Sequence, residues 1–349
     1  MPEKIKITEE FIRRMPKTEL HCHLDGSLRI GTILDLAEKD KVELPSRDPD
    51  ILHKYVAVTD QVVTLPEYIR KFDITLSVLQ TPWALTRAAY ELAEDAKQEN
   101  CLYIEVRYSP ILHIQNGMTT MESVDAVLEG LKRAEEDFKI KTGVIICGIR
   151  SISPDISFRL AELAVAFKNR GVVGFDLAGI EENFPAKNHK DAFSLILKNN
   201  INTTLHAGED YGPESIHQAV HYCGAHRIGH GVRLKEDGDL LNYINDHRIA
   251  LEICLTSNVH TGSVKSYESH PFKFYYDYGL RVTLNTDNRL VSNTTLTKEY
   301  MIAHRLYNLG IRDFKEIIIG GFKSAFLPHR TRTAMIRRIA DELDTYVSV

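Results

Sequence analysis

Eight short, largely apolar runs, separated almost everywhere by stretches of helical periodicity, constrain this chain more than any single residue does. The runs fall at 19–23, 102–107, 144–149, 172–177, 203–206, 227–230, 249–254 and 282–287, and read as buried strands. Between them, Val124, Val127, Leu128 and Leu131 share one face of 121–138, behind a Thr119/Glu122 capping box. Leu160, Leu163, Ala164 and Phe167 do the same in 157–170, and Pro213 marks a helix start ahead of Ile216, Ala219 and Val220. Strand and helix alternating eight times predict an α/β fold, a parallel sheet closed as a (β/α)8 TIM barrel.

At 349 residues the chain exceeds the roughly 250 typical of that barrel, and the surplus has an obvious place. The stretch between the first two strands has room for the barrel helix plus a helical insertion over about 41–95. No linker, internal repeat or low-complexity tract interrupts the chain, so 1–349 is expected to form a single domain. Within the insertion, Leu65, Tyr68, Ile69 and Phe72 recur at helical spacing behind Thr64 as N-cap, with Pro66 in the first turn. That apolar face reads either as a stripe packed onto the barrel or as a lid over a substrate, since an insertion after the first strand lies at the catalytic end.

Composition narrows the function. A formal charge of -5 without a clustered basic run speaks against nucleic acid. The longest apolar runs, such as 143–149, are too short to span a bilayer, and the start mixes Lys, Arg and Glu through its apolar residues, unlike a secretory leader. Cys22, Cys101, Cys147, Cys223 and Cys254 form no C-x-x-C pair and suit reduced, buried thiols, which points to a cytoplasmic protein.

Chemistry-bearing residues collect at the strand ends. The first strand ends His21-Cys22-His23, the fifth His206-Ala207-Gly208-Glu209, the sixth Gly229-His230-Gly231 and the eighth Thr286-Asp287-Asn288. Residues two apart on a strand face the same way, so His21 and His23 can share one ion while Cys22 turns to the helices. Imidazole and carboxylate without thiolate suit zinc, and three imidazoles with one carboxylate leave room for a water. His21, His23, His206 and Asp287 are therefore the expected ligands of one Zn2+ per chain, whose water would become nucleophilic near neutral pH.

The neighbouring polar residues each admit two roles. Glu209 reads as an acid donating a proton to the substrate, or as a first-turn Glu supporting a helix dipole. His230, flanked by glycines that allow close approach, either holds the attacking hydroxide or is a core histidine in a tight turn. Asp287 is both ligand and proton acceptor, or a helix N-cap; Asp25 binds a substrate hydroxyl, or caps the next helix, a task Ser27 can fill.

Taken together the strings resemble those of the adenosine deaminase family of metal-dependent amidohydrolases. They are 15–27 (Met-Pro-Lys-Thr-Glu-Leu-His-Cys-His-Leu-Asp-Gly-Ser), Glu105-Val106-Arg107-Tyr108-Ser109-Pro110, Asp176-Leu177-Ala178-Gly179, His206 to Glu209, 227–231 and Asn285-Thr286-Asp287, with a weaker match at 322–326. The resemblance implies zinc-dependent hydrolytic deamination of adenosine and 2'-deoxyadenosine to inosine or deoxyinosine and ammonia. Glu209 would protonate purine N1, His230 steady the hydroxide and Asp287 take its proton. The Gly179 backbone would meet N3 and Asp25 the ribose 5'-hydroxyl, with His23 and Ser109 also bordering the substrate and Leu65, Tyr68, Ile69 and Phe72 at the family's hydrophobic lid. Two positions depart from the pattern. Asn288 stands where many members carry a second Asp toward N7, which an amide NH2 can also serve, and Ile180 replaces a polar residue.

Within the same chemistry the alternatives are a deaminase of adenine, disfavoured by Asp25, or of a 5'-modified adenosine such as methylthioadenosine or aminofutalosine. More remote are a non-deaminating amidohydrolase and an inactive binding relative. Base-editing deaminases, with His/Cys/Cys zinc and a P-C-x-x-C string, are excluded by the lack of any C-x-x-C. The expected partners are thus a small purine nucleoside and water.

Overall fold

In the computed structural model, which describes residues 6–59 and 63–347, eight parallel strands follow one another around a barrel. They are β1 (Lys17–His23), β2 (Cys101–Tyr108), β3 (Lys141–Ile149), β4 (Val172–Ala178), β5 (Asn202–Ala207), β6 (Arg227–His230), β7 (Ala250–Ile253) and β8 (Val282–Leu284). Each coincides with an expected run, and helices connect them, so the fold is the (β/α)8 TIM barrel. Residues 1–5, in the segment read as too charged for a leader, and 60–62, within the expected insertion, lie outside the described residues, as do 348 and 349.

Alternation along the strands sets the interior. On β2, Ile104 and Val106 join the hydrophobic core, while Glu105 and Arg107 are buried and bonded to charged residues of other strands. Near the N-terminal ends of the strands the interior is plugged by Phe326. Its amide donates to Glu105 Oε1 at 2.6 Å, and the Arg227 guanidinium lies 3.5 Å from its ring centre. The weakly matching 322–326 string thus supplies the plug.

The barrel closes through the very residues that carry its chemistry. Regular pairing of β8 stops at Leu284, three residues short of the expected end, because the Asn285 side chain replaces a ladder bond by accepting from Leu20 N at 2.9 Å. Asp287 then bridges to Cys22: its amide donates to His21 O at 2.9 Å and its carbonyl accepts from His23 N at 2.7 Å. Cys22 is turned to the core side, beside Ser27 and Thr286, as strand parity predicts.

Between β1 and β2 lie the short helices Ile30–Lys39, Pro49–Val56, Leu65–Arg70 and Phe72–Val78, followed by the long helix Pro82–Gln98, most of which falls inside the 41–95 expected for the insertion. That last helix packs against β2 and along Thr120–Phe138, the place of a barrel crossover helix. Thr64 forms the expected N-cap, with Glu67 completing a capping box. The chain breaks at Lys71, so Phe72 opens a second helix instead of continuing the first. The helix expected over 157–170 begins at Pro154, capped by Ser153, and narrows to a 3-10 turn after Phe167.

Candidate active site

The strand ends bring four donor atoms together. His21 Nε2 lies 3.1 Å from His206 Nε2 and 3.2 Å from Asp287 Oδ1, and His23 Nε2 lies 3.1 and 3.3 Å from the same two atoms. Tetrahedral donors about 2.0–2.1 Å from a zinc ion sit roughly 3.3 Å apart, so this spacing suits one ion. The direction of the imidazoles says the same. His21 Nδ1 meets Glu252 Oε2 at 2.8 Å and His206 Nδ1 meets Asp176 Oδ2 at 3.0 Å. Carboxylates only accept, so each Nδ1 carries the proton and both Nε2 lone pairs point at one spot. A cation there satisfies them all, and the residues present fit a bound divalent metal.

The two carboxylates are themselves joined. Arg107, fully buried, donates to Glu252 Oε2 at 2.8 Å and to Asp176 Oδ2 at 3.0 Å, so one guanidinium spans the supports of two histidines. Arg227 adds a second bond to Glu252 and pairs with Glu105. Burial opposes charge on Glu252, yet Arg107 and Arg227 hold its carboxyl well below the usual range. Burial likewise opposes charge on Asp176, and His206 and Arg107 outweigh it.

Around this centre opens a cavity of about 420 Å³, and every expected substrate residue lines it. Leu65, Tyr68, Ile69 and Phe72 line it together with Gly179, Ser109, His23, Asp25, Glu209, His230, Asp287 and Asn288; Ile180 is not in the lining. The apolar face of the insertion thus meets the cavity. Tyr68 packs with Val58 and Val291 in a small cluster separate from the main core.

The helix-capping and first-turn readings of Asp287, Asp25 and Glu209 find no helix to serve. No helix starts at Asp287, whose backbone is left-handed with φ +61, as is that of His230 with φ +62. Two non-glycine residues held there signal a locally imposed geometry. Helix Ile30–Lys39 has no side-chain cap at all, so Asp25 is not one, and its Oδ1 is buried without a partner. Glu209 lies ahead of helix Pro213–His221, not in its first turn. Burial, then the negative charges of Asp287, Glu181 and Asp210, lift its carboxyl well above the usual range, which favours its protonated form. His230 Nε2 is 3.5 Å from Glu209 Oε2.

Glycine matters at two places. A Cβ on Gly229 would stand 3.0 Å from the His21 ring and 3.1 Å from His206 Cα, so a side chain there would press on two ligands by a few tenths of an ångström. A Cβ on Gly26 would strike Asn288 Oδ1 at 1.9 Å. Asn288 Nδ2 donates to the Tyr68 hydroxyl at 2.9 Å, which leaves Oδ1 the free atom, the reverse of the donor expected toward N7. The Tyr68 hydroxyl can donate as well as accept, so the amide can turn over at little cost.

Several supporting residues escaped the sequence reading. Arg107 and Asp176 stood in the quoted strings without a role. Glu252 was detectable only as a lone acid between Leu251 and Ile253 in an apolar strand, which demands a buried partner. Glu181 accepts from the amides of Gly208, Glu209 and Asp210 at 2.8–3.1 Å and clamps the turn that presents Glu209. Ser257 donates to Asp287 Oδ2 at 2.6 Å.

A parallel barrel with imidazoles, a carboxylate and a buried acid at one mouth is the architecture of a metal-assisted hydrolase. The sequence profile of adenosine deaminases matches residues 16–342, and the chain belongs to the adenosine deaminase family. It is 41% identical over 322 residues to a probable adenosine deaminase of Dictyostelium discoideum, covering 92% of this chain but only 42% of that longer protein. An adenosine deaminase of Clostridium botulinum is 40% identical over 324 residues, covering 93% of this chain and 96% of its own. The crystal structure of an Arabidopsis N6-mAMP deaminase superposes with a TM-score of 0.85 at 28% identity, over 95% of this chain and 98% of that one.

Proposed function

We propose that this chain removes the 6-amino group of adenosine and 2'-deoxyadenosine by hydrolysis, with one Zn2+ held by His21, His23, His206 and Asp287. The observation that carries the reading is the convergence of these four donors beside the buried Glu209 carboxyl in a mainly apolar, purine-sized cavity. Zinc in such a donor set supplies water acidic enough to attack near neutral pH. His230 steadies the attacking oxygen, and Asp287, oriented by Ser257, takes its proton. Glu209 gives its proton to N1 as the bond to C6 forms, so negative charge does not build up on the ring. The proton held by Asp287 passes to the amino group, which leaves as ammonia, and the C6 hydroxyl proton returns to Glu209 as the 6-oxo product forms.

The choice of nucleoside over nucleotide rests on charge. Asp25 and Asp73 line the cavity, and among the described lining residues none is Lys or Arg. A 5'-phosphate would meet carboxylates without a counter-ion, whereas the unpaired Asp25 Oδ1 can accept from a 5'-hydroxyl. We read 1–349 as one such unit, working in the cytoplasm, a reading supported by five buried free cysteines.

Turnover of adenosine, AMP, adenine, 5'-methylthioadenosine and aminofutalosine, followed by absorbance with a metal assay on the same sample, tests this. Adenosine is expected to be the best substrate and AMP among the poorest; adenosine as the poorest, or two metals per chain, would overturn the reading. Glu209→Gln is expected to keep its zinc while kcat drops by about 10²–10⁴-fold, and retained turnover would remove Glu209 as the acid.

A further inference from the structure

Behind His230 a chain of side chains ends on a main-chain donor. The amide of Phe272, at the start of helix Phe272–Asp277, lies 3.0 Å from His270 Nδ1. An amide N–H can only donate, so His270 Nδ1 accepts and the ring proton sits on Nε2. Burial pushes His270 down to about 3, so the ring is neutral and holds that single proton. His270 Nε2 meets Asn258 Oδ1 at 3.2 Å, and the other end of the same amide, Nδ2, meets His230 Nδ1 at 2.9 Å. Each link inherits its direction from the one before. With His270 donating, the Asn258 atom facing it must be the oxygen, the atom facing His230 must be the NH2, and His230 Nδ1 must accept. The proton of a neutral His230 then lies on Nε2, the atom that points into the cavity and has no hydrogen-bond partner.

We propose that Asn258 and His270 are positioning residues that lock His230 in its Nε2–H tautomer, so that it meets the reacting oxygen as a hydrogen-bond donor and not as a base. This deepens the deaminase reading and rests on it for its chemical consequence, although the tautomer is a property of the protein alone. A donor at this place stabilises negative charge gathering on the oxygen as it adds to the purine. Proton acceptance falls to Asp287, whose second oxygen is already bonded by Ser257. Without the relay nothing behind His230 selects between its two neutral forms, and the wrong one would present a lone pair to an incoming lone pair.

The test is a pair of measurements on the zinc-loaded protein. Nitrogen-15 NMR of histidine-labelled enzyme, with the His230 signals assigned by their loss in His230→Gln, reads the tautomer without any substrate. The Nε2–H pattern is expected for the native chain. Asn258→Asp keeps the shape but offers an acceptor at both ends, so His230 should switch to Nδ1–H while kcat falls about 10²–10³-fold and KM moves little. His270→Gln, which still donates to Asn258, should retain far more turnover than His270→Leu, although both lose the aromatic ring. An Nδ1–H pattern in the native protein overturns the proposal. So does an Asn258→Asp enzyme that switches tautomer yet keeps kcat within about threefold, or equal losses in the two His270 variants. Should Asn258→Asp fail to fold, the native spectrum and the His270 pair still decide. A failed substrate panel with the expected spectrum would count against the deaminase reading and leave the tautomer lock standing.

Discussion

Inside the barrel, His21 and His206 are each held from behind by a carboxylate that Arg107 holds in turn; over the mouth, Tyr68 shares a small cluster with Val58 and Val291, edged by Val63 and Phe72. The interior spends buried charge on orientation. Arg107 holds both Asp176 and Glu252, and Arg227 joins Glu252 to Glu105, so none of these ions moves without costing another a partner in low dielectric, and the donor geometry is stiff. The mouth is held by a few apolar contacts, the Tyr68–Ser292 and Tyr68–Asn288 hydrogen bonds, and backbone bonds from Val58 to Val291 and from Val63 to His260. Regions with few buried contacts open at lower free-energy cost, which suits a wall that must admit a purine and release a product. One fold thus keeps a stiff reaction centre under a wall that costs little to displace.

The sharpest way to break this contrast is Glu252→Gln, which preserves shape but removes the charge shared by Arg107, Arg227 and His21. Loss of about 3–5 kcal/mol of stability is expected, because Arg107 is left with Asp176 alone and Arg227 with Glu105 alone in a network short of one buried negative charge, with zinc affinity down about 10–100-fold. Urea unfolding and zinc titration measure both, and an unchanged zinc affinity would show that the interior does not orient the ligands.

A second, smaller effect comes from the joint between the two regions. Glu99 pairs with Arg289, next to Asn288, and accepts from Leu296 N and Thr297 N. Burial opposes its charge, yet Arg289 and Thr297 hold it at about 2, below the ordinary 4.5. Between those values the unfolded chain takes up a proton that the folded chain refuses, so the contribution is complete above about pH 5 and is lost as pH falls toward 2. The loss is on the order of 3 kcal/mol. Acid titration of stability in native and Glu99→Gln proteins should differ in slope over that window, and parallel curves would contradict it.

The smallest change is expected at the mouth. Phe72→Ala should raise KM by about tenfold while costing about 1 kcal/mol or less of stability, as for a half-buried contact outside the main core. Equal damage to zinc affinity would mean that the wall and the metal centre are not separable.

Much of this site was legible because its parts lie at strand ends. Strand parity alone put His21 and His23 on one face, and the eightfold alternation carried His206, Glu209, His230 and Asp287 to the same mouth. The supports were not legible for the opposite reason. Glu252 is 231 residues from His21, and Asn258 is 28 from His230 and 12 from His270, in a segment without a recognisable string. The break at Lys71 was hidden too, since the apolar spacing runs on through it.

What this sequence determines by itself is local: alternation of strand and helix, capping at Thr64 and Thr119, and donor residues placed where parallel strands end. Periodicity and hydrogen-bonding capacity belong to short stretches of chain and need no partner to be read. Only the tertiary structure decided which acid stands behind which histidine, which ring nitrogen keeps its proton, and that Asp287 closes the barrel against His21 and His23. Those outcomes depend on desolvation and on pairing between distant segments, and both exist only once the barrel has closed.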